Sequence, residues 1–348
     1  MKTAWKIIRP IILILVCVEI FLHFYNPFSG RVKNNQIILP KNAQYEVLNM
    51  QIPGLGSNLL HTKNSNGLRG EELPTDNNLS KIICMGGSTT ECFYLNDGKD
   101  WPNLLAKELK ANGKNIWLNN AGLDGQSVFG NLVMLKQHIL KLKPNYIILM
   151  CGLNDIGLKT PSKYDMNENN WLKKAYNFLK LPATITNIIT AGKAKKAGLN
   201  DQFLNLKTAE KLVLSDSQIL QRIAQEQPLL ENYKKRVEEI VSVCKTNNIK
   251  LIFVSQTILF SDETDMLTNI DLGTIKTGDI NGKTEALLLK QYNKSNYDIA
   301  MANNLMYVNL SVRLPKYSPL YYDGYHYTND GAEFVSKFIY DELKNYIK

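Results

Sequence analysis

From residue 81 onward the chain alternates short apolar runs with longer segments whose apolar residues recur at helical spacing, and this rhythm limits the fold more than any other feature. Strands separated by helix-length segments pair in parallel, with the helices packed on the sheet faces. Strands are expected at residues 81–85, 115–119, 146–151, 250–255 and 305–309, and helices at 101–111, 127–142, 218–246, 285–302 and 329–347. In the last helix Phe334, Phe338, Ile339 and Leu343 follow helical spacing, and Thr328 is suited to cap its start. The reading is therefore an α/β domain on a parallel sheet, spanning residues 81–348.

Two stretches break the rhythm. Residues 35–80 form a lead-in before the first strand, and residues 156–215 form an insertion after the third. In the insertion Trp171, Leu172, Ala175, Tyr176, Phe178 and Leu179 lie beside Lys173, Lys174 and Lys180, a pattern that predicts an amphipathic helix. Such a segment packs on the sheet as an added layer, or serves as a lid or membrane-contacting flap.

The first 34 residues read differently. Lys2, Lys6 and Arg9 precede an apolar stretch over residues 10–25, interrupted by Glu19 and His23 and followed by a polar exit at Asn34 and Asn35. Basic flank, apolar stretch and polar exit form an export signal, and no small-residue cleavage site follows. Cys17 sits after bulky Val16, which argues against lipidation. An uncleaved N-terminal anchor with the catalytic domain outside the membrane is the expectation, although a central carboxylate makes the span marginal.

Net charge excludes one function class. Residues 1–33 hold five basic residues and one acidic, so of the formal +9 only +5 belongs to the remainder. That charge is dispersed, without dense basic runs interleaved with aromatics, and a nucleic-acid partner is not expected. Five cysteines, Cys17, Cys84, Cys92, Cys151 and Cys244, show neither CxxC pairing nor metal-ligand spacing, so neither metal nor other cofactor is expected. Whether Cys84 and Cys151 are bridged is not decided by sequence.

The chemistry gathers where strands end. The first strand runs into Gly86-Gly87-Ser88-Thr89-Thr90, where glycines permit a sharp turn that presents Ser88. A serine hydroxyl needs a base, and among four histidines only His326 follows a carboxylate closely within a loop, in Asp323-Gly324-Tyr325-His326. That spacing can bring Asp323 to Nδ1, leaving Nε2 as the base; a helix-capping loop with a solvated histidine is the alternative. Oxyanion donors can come from the loop Asn120-Ala121-Gly122-Leu123-Asp124-Gly125 through the Gly125 amide, and from Gly152-Leu153-Asn154-Asp155 through the Asn154 side chain. Each motif alone is an ordinary turn; all four follow strand ends, where open α/β sheets collect ligands.

At these residues the sequence resembles the SGNH/GDSL hydrolase family. The likeness runs from about residue 81 to 346, broken by the insertion, and rests on Gly86 and Ser88, on Asn120, Gly122 and Gly125, on residues 152–155, and on Asp323 to His326. Gly87 stands where the family often has aspartate and Thr89 where leucine is usual, which resembles glycine-containing versions among bacterial exported members. The resemblance implies a flavodoxin-like three-layer α/β/α sandwich with a five-stranded parallel sheet in the order 2-1-3-4-5. It also implies Ser88 as nucleophile, His326 and Asp323 as its partners, and Ser88, Gly125 and Asn154 as the oxyanion hole. In the lead-in, Asn64-Ser65-Asn66-Gly67-Leu68-Arg69-Gly70 resembles a segment of some members; it reads either as a turn covering a sheet edge or as placing Arg69 near the site as an anion ligand.

The expected activity is a serine esterase acting through an acyl-enzyme. An O-acyl group, chiefly O-acetyl, on an envelope glycan is the leading substrate, by association with the compartment alone. A lipid ester, as for a lysophospholipase, is an alternative. Transfer of the acyl group to a sugar hydroxyl is another.

Overall fold

The apolar runs do assemble into one parallel sheet. In the computed structural model the described residues are 2–24, 32–33, 36–37, 39–48, 52–75, 78–158, 180–181, 184–185 and 203–348. In the lead-in, β1 (Gln44–Leu48) and β2 (Asn58–Thr62) form an antiparallel hairpin. The sheet then comprises β3 (Ser80–Gly86), β4 (Ile116–Asn120), β5 (Tyr146–Met150), β6 (Lys250–Val254) and β7 (Met306–Val308). Its spatial order is β4-β3-β5-β6-β7, all parallel. Numbered from its first strand, this is the expected 2-1-3-4-5.

Central β5 is buried along its whole length, as expected of a parallel strand covered on both faces. The covering helices are α3 (Trp101–Ala111) and α7 (Asn329–Leu343), packed on each other, and α4 (Val128–Gln137), α5 (Asp216–Thr246) and α6 (Gly282–Ala302), with α5 touching both α4 and α6. Their starts are chemically fixed. Asp100, Ser127, Ser215, Asn281 and Thr328 each accept an otherwise orphaned backbone N–H, and Ser215 with Gln218 closes a capping box. One expected helix is shorter than its pattern. The segment 127–142 breaks at His138 into a single 3-10 turn, Ile139–Leu142, which Lys143 ends in the left-handed region at φ 51°, turning the chain toward β5.

The chain divides into two compact units, Leu39–Lys159 with Gln202–Lys348, and Met1–Ile38 with Thr160–Asp201. The first contains the sheet. In the second, α1 (Lys2–Phe24) exposes Ile11, Ile12, Leu13, Ile14, Leu15 and Phe21, among other large apolar residues. Its Glu19 carboxylate accepts hydrogen bonds from the backbone amides of Lys180 and Leu181, the latter at 2.8 Å. Among the described residues no helix is long and apolar enough to cross a membrane, so hydropathy lends the expected single-pass anchor no support. The amphipathic segment expected at 171–179 lies outside the described residues. All five cysteines are free and four are buried; Cys84 and Cys151 are not bridged, and burial pushes the Cys151 thiol up to about 12.

Candidate active site

Ser88 leaves the sheet at the carboxyl end of β3 and opens α2 (Ser88–Glu91), with Gly87 extended before it at φ −90°, ψ −152°. Gly86 cannot carry a side chain, because a Cβ there would lie 2.5 Å from the Met150 carbonyl and 2.2 Å from Thr90 Oγ1. The nucleophile turn is thus pressed directly against the end of β5. Across from it, the loop before α7 brings His326 Nε2 to 2.7 Å from Ser88 Oγ. Asp323 Oδ2 lies 2.7 Å from His326 Nδ1, while Oδ1 accepts the amides of Tyr325 and His326, each at 2.7 Å. A carboxylate only accepts, so the imidazole proton sits on Nδ1 and Nε2 is left to take the serine proton. Ser88, His326 and Asp323 thus lie in one hydrogen-bonded series.

One predicted oxyanion donor, Asn154, lies against the same turn. Asn154 Nδ2 donates to the Gln126 carbonyl at 3.1 Å and lies only 2.3 Å from where a Cβ on Gly87 would stand. This close approach gives a physical reason for glycine, rather than aspartate, before the serine. In the loop after β4, the amides of Gly122, Leu123, Asp124 and Gln126 donate to Asn120 Oδ1, Gly86 O, Glu91 Oε2 and Leu123 O respectively. The Gly125 amide, at φ 67°, and the Ser88 amide have no acceptor among the described residues. Two uncommitted backbone N–H groups and the second hydrogen of the Asn154 amide are what a developing oxyanion requires.

Arg69 does not act as an anion ligand. It is 1% exposed and already committed: Nε donates to Asp97 Oδ1 at 3.1 Å and lies 3.3 Å from Asp100 Oδ2, and Nη1 and Nη2 donate to the carbonyls of Glu91, Cys92 and Leu95. Its backbone pairs with Asn120 at the end of β4, so the lead-in covers the sheet edge while its guanidinium ties down the chain leaving α2. Thr89, Thr90 and Glu91, which follow Ser88 on α2, are all buried.

Several contributors carried no sequence signal. Gln256, 2% exposed just beyond β6, donates from Nε2 to Thr89 Oγ1 and accepts from the Leu153 amide, each at 3.0 Å, joining the nucleophile turn to the Asn154 loop. Tyr322 stacks on His326 with ring centroids 5.5 Å apart and an 11° interplanar angle. Tyr325 donates to Glu285, whose carboxyl is pushed up by burial. Residues 203–206 run beside the acid loop, with the Leu204 amide donating to Tyr322 O at 3.0 Å, and a cavity of about 330 Å³ there is lined by Leu204, Leu206, Leu259, Pro319, Tyr321 and Asp323. Among the described residues no cluster of His, Cys, Asp or Glu has the arrangement to hold a metal ion.

A parallel α/β sheet with a serine, a histidine and an aspartate in hydrogen-bonded series at its carboxyl edge has the chemical equipment of a serine hydrolase. The chain belongs to the GDSL-like lipase/acylhydrolase family, whose model matches residues 84–334. A search of the curated proteins found no match. Similar solved structures include LAE5, an alpha/beta hydrolase enzyme from the metagenome of Lake Arreo, Spain, at 14% identity over 77% of this chain and 96% of that one, with a TM-score of 0.46. A putative acylhydrolase from Bacteroides fragilis shares 16% identity over 80% and 93%, TM-score 0.44. The lipase/acylhydrolase from Enterococcus faecalis shares 17% over 78% and 98%, TM-score 0.43. The assignment rests on the family match.

Proposed function

We propose that the protein is a serine esterase in which Ser88 Oγ attacks an ester carbonyl while His326 Nε2 takes its proton. Asp323 holds the imidazole in the Nδ1–H form and stabilises the imidazolium. The Ser88 and Gly125 amides with the Asn154 side chain receive the oxyanion. His326 then returns the proton to the departing alcohol, and water, activated by the same imidazole, releases the acid and regenerates Ser88. The observation that carries this reading is the unbroken series from Asp323 through His326 to Ser88, with both links at 2.7 Å.

For substrate the reading is an O-acyl group, chiefly O-acetyl, on an envelope glycan, with the domain held on the outer side of a membrane by α1. The support is the basic flank of Lys6 and Arg9 followed by exposed apolar residues, and Glu19 being met by backbone donors instead of standing bare among them. A second reading is a lipid ester. Both are tested by hydrolysis of p-nitrophenyl esters of increasing acyl length, with Ser88→Ala and His326→Ala as controls. Each variant should lose several orders of magnitude in kcat while melting like the parent; turnover by Ser88→Ala at the parent rate refutes the chemistry. Each methylene bound in an apolar pocket adds about 0.8 kcal/mol, so kcat/KM rising steeply to octanoyl selects the lipid ester and a fall beyond acetyl selects the glycan ester. External protease digesting the domain on intact cells supports the outward placement, and recovery of the whole chain in the cytosolic fraction refutes it.

A further inference from the structure

We infer that Glu91, held by Lys63, is a positioning residue that aims the Gly125 amide at the oxyanion. This rests on the esterase reading of the site. Glu91 ends α2, three residues after Ser88, and is 2% exposed. Its Oε2 accepts the amide of Asp124 at 2.6 Å, and its Oε1 lies 3.0 Å from Nζ of Lys63, itself 4% exposed. The loop bearing Gly125 is therefore moored at the residue immediately before the donor. The mooring post sits on the same short helix as the nucleophile, so the distance between Ser88 and the Gly125 amide is fixed by a single turn of helix and one carboxylate.

A second contact shows how tightly the two segments are matched. A Cβ on Gly122 would stand 2.3 Å from Glu91 N and 2.8 Å from Glu91 Cα, so the loop backbone rides directly on the helix end and only glycine admits that approach. With Gly122, Leu123, Asp124 and Gln126 all committed, the Gly125 N–H is left as the loop amide for substrate. Stability alone is a poor reason for the pair, because desolvating two charges costs about as much as their attraction returns. Holding a strong acceptor at one defined point is a reason. A carboxylate makes a shorter and stronger bond to an amide than a neutral oxygen does, and Lys63 holds its other oxygen at 3.0 Å. Lys63 lies just beyond β2, which gives the lead-in a part in the reaction although it bears no group that touches substrate.

The test compares two double variants that are both free of the buried charges. Lys63→Met/Glu91→Gln keeps an oxygen acceptor for the Asp124 amide; Lys63→Met/Glu91→Leu does not. Expected is a kcat reduced by at least about tenfold for the leucine variant, with KM within about twofold, and recovery to within about threefold of the parent for the glutamine variant, as for partial loss of one oxyanion donor. Equal kcat in both folded variants, or a loss confined to KM, overturns the proposal. Should the leucine variant not fold, amide hydrogen exchange on the parent decides: a protected Asp124 amide beside a fast-exchanging Gly125 amide supports the mooring, and a fast-exchanging Asp124 amide overturns it. Labelling of Ser88 by a fluorophosphonate separates the two failures, since a parent that neither labels nor hydrolyses ester defeats the esterase reading while the exchange result still judges the mooring.

Discussion

Replacing Gly87 by alanine isolates the oxyanion geometry from the triad. The added Cβ would fall 2.3 Å from Asn154 Nδ2 and 3.3 Å from the Gln126 carbonyl. Ordinary van der Waals separation is about 3.5 Å, so the Asn154 amide must retreat by roughly 1 Å. Gly87 sits at φ −90°, ψ −152°, where alanine meets no left-handed penalty, and the group it displaces is the end of a side chain. The fold should therefore tolerate the change to within about 1 kcal/mol, as for substitutions outside the main destabilising mechanisms. Catalysis should not. A misplacement of about 1 Å in a catalytic group costs on the order of 10² in rate, and outright loss of one oxyanion donor about 10² to 10³, or roughly 3 to 4 kcal/mol. Steady-state kinetics on a p-nitrophenyl ester should show a kcat about 10²-fold lower with KM little changed, alongside an unaltered melting curve. The cycle with Asn154→Ala sharpens the test: if the methyl acts only by moving that amide, Gly87→Ala adds nothing once Asn154 is gone. Undiminished kcat in Gly87→Ala, or an equal loss in both backgrounds, refutes the argument.

Arg69→Ala should destabilise the fold by about 3 to 5 kcal/mol, because it takes the buried cation away from Asp100 and one donor away from each of three carbonyls; a urea midpoint close to the parent's would contradict this. Asp155 offers a pH signature. Its carboxyl is buried, and desolvation pushes it up to about 7 from an ordinary 3.8, against the lowering effect of the Val128 amide and Arg236. Between those values the unfolded chain has released a proton that the folded one keeps, so this group's contribution to stability falls as pH rises from about 4 to about 7 and is flat above. Asp155→Asn retains an acceptor for Val128 and should lose that slope in urea titrations from pH 4.5 to 8; an identical slope in parent and variant defeats the assignment.

What could be read from the chain was whatever repeats or sits next to its partner. The five strands stand out as apolar runs such as Ile82 to Met85 and Tyr146 to Met150, and the Asp323 to His326 link spans three residues. The rest depends on pairs with no local signature. Arg69 meets Asp97 and Asp100 from about thirty residues away, and the sequence shows an exposed-looking arginine after a turn; only burial reveals that its charge is spent. Gln256 reaches Thr89 across 167 residues. Helical spacing carried the expected helix 127–142 past His138, because periodicity does not register the backbone turn that Lys143 completes.

The burial of Arg69 also sets where the cooperative unit begins. Likeness to the family starts at residue 84, yet a chain cut there would lack both Lys63 and Arg69. Glu91, Asp97 and Asp100 would then stand as three neighbouring carboxylates with their internal cations gone, directly behind the nucleophile turn. Their mutual repulsion would push that turn outward toward water. The family match thus begins some forty-five residues inside the compact unit, which starts at Leu39.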